Sequence, residues 1–307
     1  MSDPTVTVIG SYNVGFVMVV PRFPVPGETV IGENFGEGPG GKGSNQAIAA
    51  ARLGAQSTFI GKIGTDRYGD DALELWEAEG VDTDTVIRTD DTHSGVGFVI
   101  VNEEGENEIT VAPGANDQLG ADSVAAAGDS LQASDAVLAQ LEVPDEPLIA
   151  AGELAQEADV PFILNPAPAR ELPESLLSTV SYLTPNQNEA RVMVGREPDD
   201  PVDDRTVAEE LLDLGVETVV ITRGEAGAVM ISADELQEIP APQVDVTDTT
   251  GAGDAFNGAL AVALAEGREP AEAIEFACAG GAHAVTEMEV IPGLPTREEL
   301  ETVASDD

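Results

Sequence analysis

The sequence predicts an α/β fold: a mostly parallel sheet with helices on both faces and a small β-sheet attached to it. Three observations predict it. Strand-like and helical runs take turns along most of the 307 residues, two stretches carry strand patterns with no helix between them, and hydrophobic residues make up 42% of the chain. That share can fill one large core.

The strand-like runs are TVTVIG (5–10), STFIGKIG (57–64), DAVLAQLE (135–142), VPFILNP (160–166), SYLTPN (181–186), ETVVITRG (217–224) and GAVMIS (227–232). Between most of them lie SNQAIAAARLG, DDALELWEAEG, EPLIAAGELAQEA and VAEELLDLG, whose apolar residues recur at helical spacing. Two stretches break this rhythm. VGFVMVV with ETVIGENF (14–20 and 28–35), and SGVGFVIVNEEGENEITVAPG (94–114), read as strands and a hairpin. The simplest arrangement is one domain over 1–307, in which about 13–40 and 94–115 form a β lid over the C-terminal edge of the main strands.

Composition narrows the function classes. Aromatics are only 4% of the chain, so alanine, valine and leucine must fill the core. There is no run of about 18 uncharged apolar residues to span a bilayer. MSDPTVTVIG lacks a basic segment followed by an apolar one. The expectation is a soluble, cytoplasmic protein with no membrane partner. The single cysteine, Cys278, cannot form an intramolecular disulfide or build a metal site alone. His93 and His283 have no partner pattern.

The 58 Asp and Glu outnumber the 13 Lys and Arg, for a formal charge of −45 and a pI near 4.1. The acids are scattered through helices such as RYGDDALELWEAEG, the pattern of a solvated acidic surface. In dilute buffer such a chain repels itself. Molar salt shortens the Debye length to about 3 Å and screens the repulsion, so a salt-rich, halophilic cytosol is expected. The same field argues against nucleic acid, whose phosphates need a basic face. Lys42 and Lys62 are the only lysines, and Lys42 lies inside a glycine cluster.

Two glycine clusters carry chemistry. DTTGAGDAFNG (248–258) runs straight into the apolar ALAVALA. A helix N-terminus presents unpaired N–H groups and the positive end of the macrodipole, and Gly251, Ala252 and Gly253 would let an anion approach them closely. Asp254 then sits in the first turn, where a carboxylate opposes simple anion binding but serves if a hydroxyl must lose its proton. The plainer reading is a tight turn followed by an N-terminal acid. Phe256 stands where a dinucleotide fingerprint needs its last glycine.

GEGPGGKGSNQAIAAARLG (36–54) satisfies G-x-G-x-x-G, yet no acid follows about 20 residues on. Gly36 to Lys42 fits G-x-x-x-x-G-K, but Gly43 replaces the Ser or Thr that would hold a metal. A third reading is a polyhydroxylated ligand touched by glycine N–H groups, with Lys42 and Asn45 as donors at the start of a helix over 44–53. A plain loop with an asparagine cap stands beside it.

Asn13 in GSYN, PGETV (26–30), GGKGSNQAIAAARLG (40–54), G-x-D-x-x-G (64–69), NPAPARELP (165–173), TPNQNEA (184–190) and DTTGAGDAFNG occur in order. On these motifs the chain resembles the ribokinase (PfkB) family of carbohydrate and nucleoside kinases, from about residue 5 to 300. The resemblance implies a ribokinase-like three-layer αβα fold with a small β lid, transferring phosphate from ATP, with Mg²⁺, to a pentose-type hydroxyl. It implies Asp254 as general base and Gly251, Ala252 and Gly253 as anion hole. Asn13, Gly41, Lys42, Asn45 and Glu142 would line the sugar pocket. Asn186, Thr222, Gly224 and Gly227 would hold ATP, with Glu189 reaching Mg²⁺ through water. Asp248 and Thr250, with the segment near 285–290, would hold a monovalent cation, K⁺ in a potassium-rich cytosol. Lid strands of this family often pair across a homodimer.

Plainer roles stand beside these: Glu142 as a surface acid, Asn186 and Glu189 as turn and helix-start residues, Cys278 as a small buried hydrophobe, Arg223 as a solvated arginine. Two departures from the family pattern matter. Ribose-specific members show N-x-D where this chain has Asn13-Val14-Gly15, so the carboxylate that would grip ribose hydroxyls is missing. That favours ribose 1-phosphate over free ribose by a narrow margin, with Arg22 a candidate phosphate partner or an ordinary surface arginine. EMEV (287–290) is acidic where the family has a small turn, which bears on the cation site. The alternatives are a ribokinase proper, a nucleoside kinase, a 2-keto-3-deoxygluconate kinase, or a sugar-binding regulator without catalysis.

Overall fold

The structure, a computed structural model, describes residues 3–303. Its strands are β1 Thr5–Ile9, β2 Asn13–Val19, β3 Asn34–Gly40, β4 Gln56–Ile60, β5 Lys62–Gly64, β6 Ile87–Thr89, β7 Gly95–Val101, β8 Asn107–Ala112, β9 Ala136–Gln140, β10 Phe162–Asn165, β11 Tyr182–Leu183, β12 Thr218–Thr222, β13 Ala228–Ser232 and β14 Leu236–Ile239.

Eight of them form one sheet, in the order β14-β13-β12-β11-β10-β9-β1-β4. From β12 to β4 every pairing is parallel, while β13 and β14 extend the edge as antiparallel strands. Successive side chains leave a strand on opposite faces, and each face here has its own core. Val6, Val8, Ala136 and Leu138 pack with helices Lys42–Arg52, Ala252–Ala265 and Pro270–Ala284. Ile9, Val137 and Ala139 pack with helices Asp145–Glu157, Gln187–Met193 and Asp204–Leu212. The result is the expected three-layer αβα body. Among the described residues no helix is long and apolar enough to cross a membrane.

The chain's single tryptophan fixes one side of the later site. Trp76 is fully buried, stands edge-on to Tyr12 at 5.4 Å between ring centroids, and donates from Nε1 to Ser44 Oγ at 2.9 Å. It thereby clamps the turn before β2 to the first turn of helix Lys42–Arg52.

β3, β2, β7 and β8 make a second, four-stranded sheet, with β2 and β7 parallel. It joins the body just past the C-terminal end of β1. Its makeup differs from the sequence expectation at one strand. ETVIGENF is irregular up to Glu33, and the strand runs instead through Asn34–Gly40, the glycine cluster. Pairing along all of β2 outweighs the weak intrinsic strand preference of NFGEGPG. SYLTPN shortens to two residues, and β14, an exposed edge strand reading LQEI, escapes the alternation rule.

Candidate active site

Asp254 lies in the first turn of helix Ala252–Ala265, behind Gly251 at φ 83° as N-cap. A Cβ on Gly251 would sit 2.7 Å from Val290 Cγ1, so both the left-handed backbone and the close packing call for glycine. A Cβ on Gly253 would meet nothing within 4 Å, because that side faces a cavity. Among the described residues the Gly251 and Gly253 amides donate to no acceptor, and the Ala252 amide has only a long 3.4 Å approach to Thr249 O.

The Asp254 carboxylate is buried and held from both sides. Asn45 Nδ2 donates to Oδ2 at 2.8 Å, and Gln46 Nε2 donates to Oδ1 at 2.9 Å. Asn45 Oδ1 is buried with no partner among the described residues, an orphan that a ligand hydroxyl would satisfy. Helix Lys42–Arg52 presents both residues. It begins two residues before the sequence expectation, and its N-cap is Gly41 at φ 93°. A Cβ on Gly41 would lie 2.6 Å from Asn13 N, so this glycine serves close packing against the chain's own backbone. The Lys42 amide is likewise engaged, donating to Glu142 Oε2 at 3.0 Å. The turn at Gly41 and the Lys42 amide are thus held by the chain's own backbone and by Glu142.

Glu142, just past β9, is no free surface acid. It accepts from Ser11 Oγ, from the Lys42 amide, and from Asn13 Nδ2 at 3.3 Å. Asn13 Oδ1 in turn accepts from Asn116 Nδ2 at 3.0 Å. Asn13, Asn116 and Glu142 border a cavity of about 420 Å³ that also touches Val111, Pro168 and Arg170.

Lys42 shares a second cavity, of about 320 Å³, with Asp254, Glu189, Asn186, Thr222 and Gly253. All eleven arginines of the chain engage a carboxylate within 4.0 Å. Lys42 makes no such pair among the described residues. Burial pulls its pKa down, but Asp254, Glu142 and Glu189 together raise it above the ordinary lysine value, so it stays charged. Glu189 is pushed up by burial and by Asp254, against the Asn186 amide and Lys42. Asn186 and Glu189 also form a reciprocal capping box on helix Gln187–Met193, so their helix-start role holds as well.

A third, mostly apolar cleft of about 250 Å³ adjoins at Thr222, Thr249 and Gly253. Gly224, Gly227, Val246, Phe256, Cys278 and Ala282 border it. Burial pushes the Cys278 thiol up to about 12, leaving it inert. Arg223 reaches Glu238 at 3.3 Å, and Arg22 pairs with Glu28 rather than facing a cavity.

Asp248 Oδ1 accepts from the Thr250 amide at 2.9 Å and from Thr250 Oγ1 at 2.7 Å, while Oδ2 accepts from the Glu289 amide at 3.3 Å. These bonds tie 248–250 to the acidic segment at 289, and they hold the Asp248 pKa below its usual value against the upward pull of burial.

Sequence reasoning missed a buried polar group behind Asp254: Gln46, Gln140, Asn165, Thr184 and Asn257. Thr184 Oγ1 donates to Asn257 Oδ1 at 2.6 Å, and Asn257 Nδ2 donates to Gly253 O at 2.8 Å. The available signal was an uncharged polar residue closing two of the apolar strands, AVLAQ and FILN.

A three-layer body whose strand ends carry a helix-mouth acid beside cavities of about 320 and 420 Å³ is that of a sugar kinase. The family model described as pfkB family carbohydrate kinase matches residues 3–297, and the chain belongs to that family. It is 39% identical to the ribokinase of Haemophilus influenzae over 295 residues, covering 96% of each chain. The crystal structure of ribokinase from Thermotoga maritima superposes with a TM-score of 0.89 at 35% identity, covering 98% of this chain and 99% of that one. Arabidopsis thaliana ribokinase complexed with ribose and ATP superposes with a TM-score of 0.90 at 29% identity, with coverage of 98% and 99%.

Proposed function

We propose that this kinase transfers the γ-phosphoryl group of ATP, with Mg²⁺, to a hydroxyl of ribose or a ribose derivative. The observation that carries the reading is one helix mouth holding both a buried carboxylate, Asp254, and the unengaged amides of Gly251 and Gly253. Asp254 takes the proton of the acceptor hydroxyl while the hydroxyl oxygen bonds to the γ-phosphorus and the bond from that phosphorus to the β–γ bridging oxygen breaks, releasing ADP; the 251–253 amides stabilise the charge on the transferring group. Asn13, Gly41, Lys42, Asn45 and Glu142 bind the acceptor, with Asn45 Oδ1 accepting from one of its hydroxyls. The apolar cleft takes adenine, and Asn186, Thr222, Gly224 and Gly227 hold the nucleotide.

The donor set fits Mg²⁺, which keeps several waters and uses one or two carboxylates beside substrate phosphates; Glu189 and Asp254 face that cavity. When bound, the ion supplies charge neutralisation at the phosphoryl group. Asp248 and Thr250 are the proposed side-chain ligands of a K⁺ ion. The small sheet acts as a lid in a cytoplasmic enzyme. Its exposed Phe35 and Phe98 support pairing with a second copy.

The acceptor preference turns on Gly15. It shares a face of β2 with Asn13 and pairs with Gly38 and Gly97, so three glycines lie side by side where family members place a carboxylate. That bare backbone leaves room for a substituted sugar and favours ribose 1-phosphate. Free ribose is the second reading, which the ribokinase relatives favour. ATP consumption at high KCl should be measured with ribose, ribose 1-phosphate, nucleosides and 2-keto-3-deoxygluconate. No turnover of any pentose derivative would refute the proposal. Gly15→Asp is expected to shift kcat/KM about tenfold toward free ribose. Its Cβ meets only Gly38 O at 3.6 Å, so the variant should fold, and an unchanged preference would remove the role given to Gly15.

The acidic surface supports a halophilic setting. The melting temperature is expected to climb as KCl rises toward molar concentrations, since screening relieves the self-repulsion of a −45 chain. A melting curve indifferent to salt would contradict this.

A further inference from the structure

Resting on the reading of Asp254 as the base, we propose that Gln46 is a positioning residue for that carboxylate, locked in one orientation by Gln140 and Asn165. An ionised carboxylate only accepts hydrogen bonds, so Gln46 must turn its amide nitrogen toward Asp254 Oδ1. Its oxygen end then faces Gln140, whose Nε2 donates to Gln46 Oε1 at 2.6 Å. The second N–H of Gln46 reaches Asn165 Oδ1 at 3.2 Å, and Asn165 Nδ2 reaches Thr184 O at 3.3 Å. All of these side chains are buried.

Reversing any one amide breaks the chain. A turned Gln46 would set its oxygen against the carboxylate and its nitrogen against the Gln140 nitrogen. Gln140 has no room to drift either, since its Oε1 rests on Gly10, where a Cβ would come within 2.0 Å. Gln140 and Asn165 are the last residues of β9 and β10, adjacent parallel strands. The carboxylate is therefore referenced to the rigid sheet as well as to its own helix. With Asn45 on Oδ2 and Gln46 on Oδ1, the plane of the carboxylate is fixed and its remaining lone pairs keep one direction. Each amide nitrogen of this buried network donates, while Gln140 Oε1, packed against Gly10, and Asn45 Oδ1 have no partner among the described residues; such a network holds a direction better than a single contact does.

The test uses Gln46→Met, which keeps length and volume but has no donor, assayed with whichever acceptor of the panel turns over fastest. We expect kcat to fall about 100-fold, the cost of a misplaced reacting group, while KM for acceptor and for ATP stays within about twofold. Gln46→Glu, the same shape with an acceptor facing Oδ1, should lose kcat as well. Gln140→Leu leaves Gln46 in place but unlocked, with an expected loss of about tenfold and again unchanged KM; it keeps the test open if Gln46→Met does not fold. Wild-type kcat in Gln46→Met or, failing its folding, in Gln140→Leu overturns the proposal, since a packing role tolerates such swaps. If Asp254→Asn is inactive while Gln46→Met is normal, positioning alone is wrong; if both are fully active, the base assignment is wrong.

Discussion

Asp254→Asn is expected to lower kcat by about 10²–10⁴-fold, with acceptor affinity changed only a few-fold. The substitution keeps the shape of the side chain and removes its ability to take a proton. It also turns an amide nitrogen toward Asn45 or Gln46, both of which now donate to the carboxylate. Steady-state kinetics with MgATP and calorimetric titration of the acceptor separate the two effects. Full turnover in this variant would sink the mechanism, because no other carboxylate lies at the mouth of the Ala252 helix among the described residues lining that cavity except Glu189, which caps a different helix.

Gly253→Ala is expected to raise the melting temperature slightly while lowering kcat/KM for ATP by about 100-fold. The two signs come from different places. Gly253 has an ordinary helical backbone and no neighbour within 4 Å of the new methyl, so alanine contributes about 0.4–1 kcal/mol by restricting the unfolded chain. The same methyl projects into the space shared by the apolar cleft and the cavity that Lys42 lines, where on the proposed reading it would hold a phosphoryl group off the amides. Gly251→Ala makes the contrast, since its φ of 83° and the 2.7 Å approach to Val290 cost stability as well. Thermal melts and ATP kinetics on Gly253→Ala decide the matter. A wild-type kcat/KM would mean that no phosphate approaches those amides.

The body of the fold was readable because its central strands are short apolar runs such as VLA and FIL, most of them alternating with helical repeats such as EPLIAAGELAQEA. β3 was not readable: glycines and a proline carry no strand preference, and only the partner strand β2 makes them extended. For the site, Asp254 and its glycines stand together in sequence, so a local argument reaches them. Gln46, Gln140 and Asn165 do not. Each is an isolated amide, and their meaning appears only when two strand ends and two helices converge. Glu142 lies between these cases, marked by its place after a strand but distinguished from the other acids only by Ser11, Asn13 and Lys42 around it.

The pairing of every guanidinium with a carboxylate has a kinetic consequence. A polyanionic nucleotide drifting toward this molecule meets a hostile potential with no cluster of unpaired arginines to draw it in, so encounters become more frequent as ions shorten the reach of that field. Capture is left to forces that act only on arrival: one ammonium group and a few oriented main-chain dipoles.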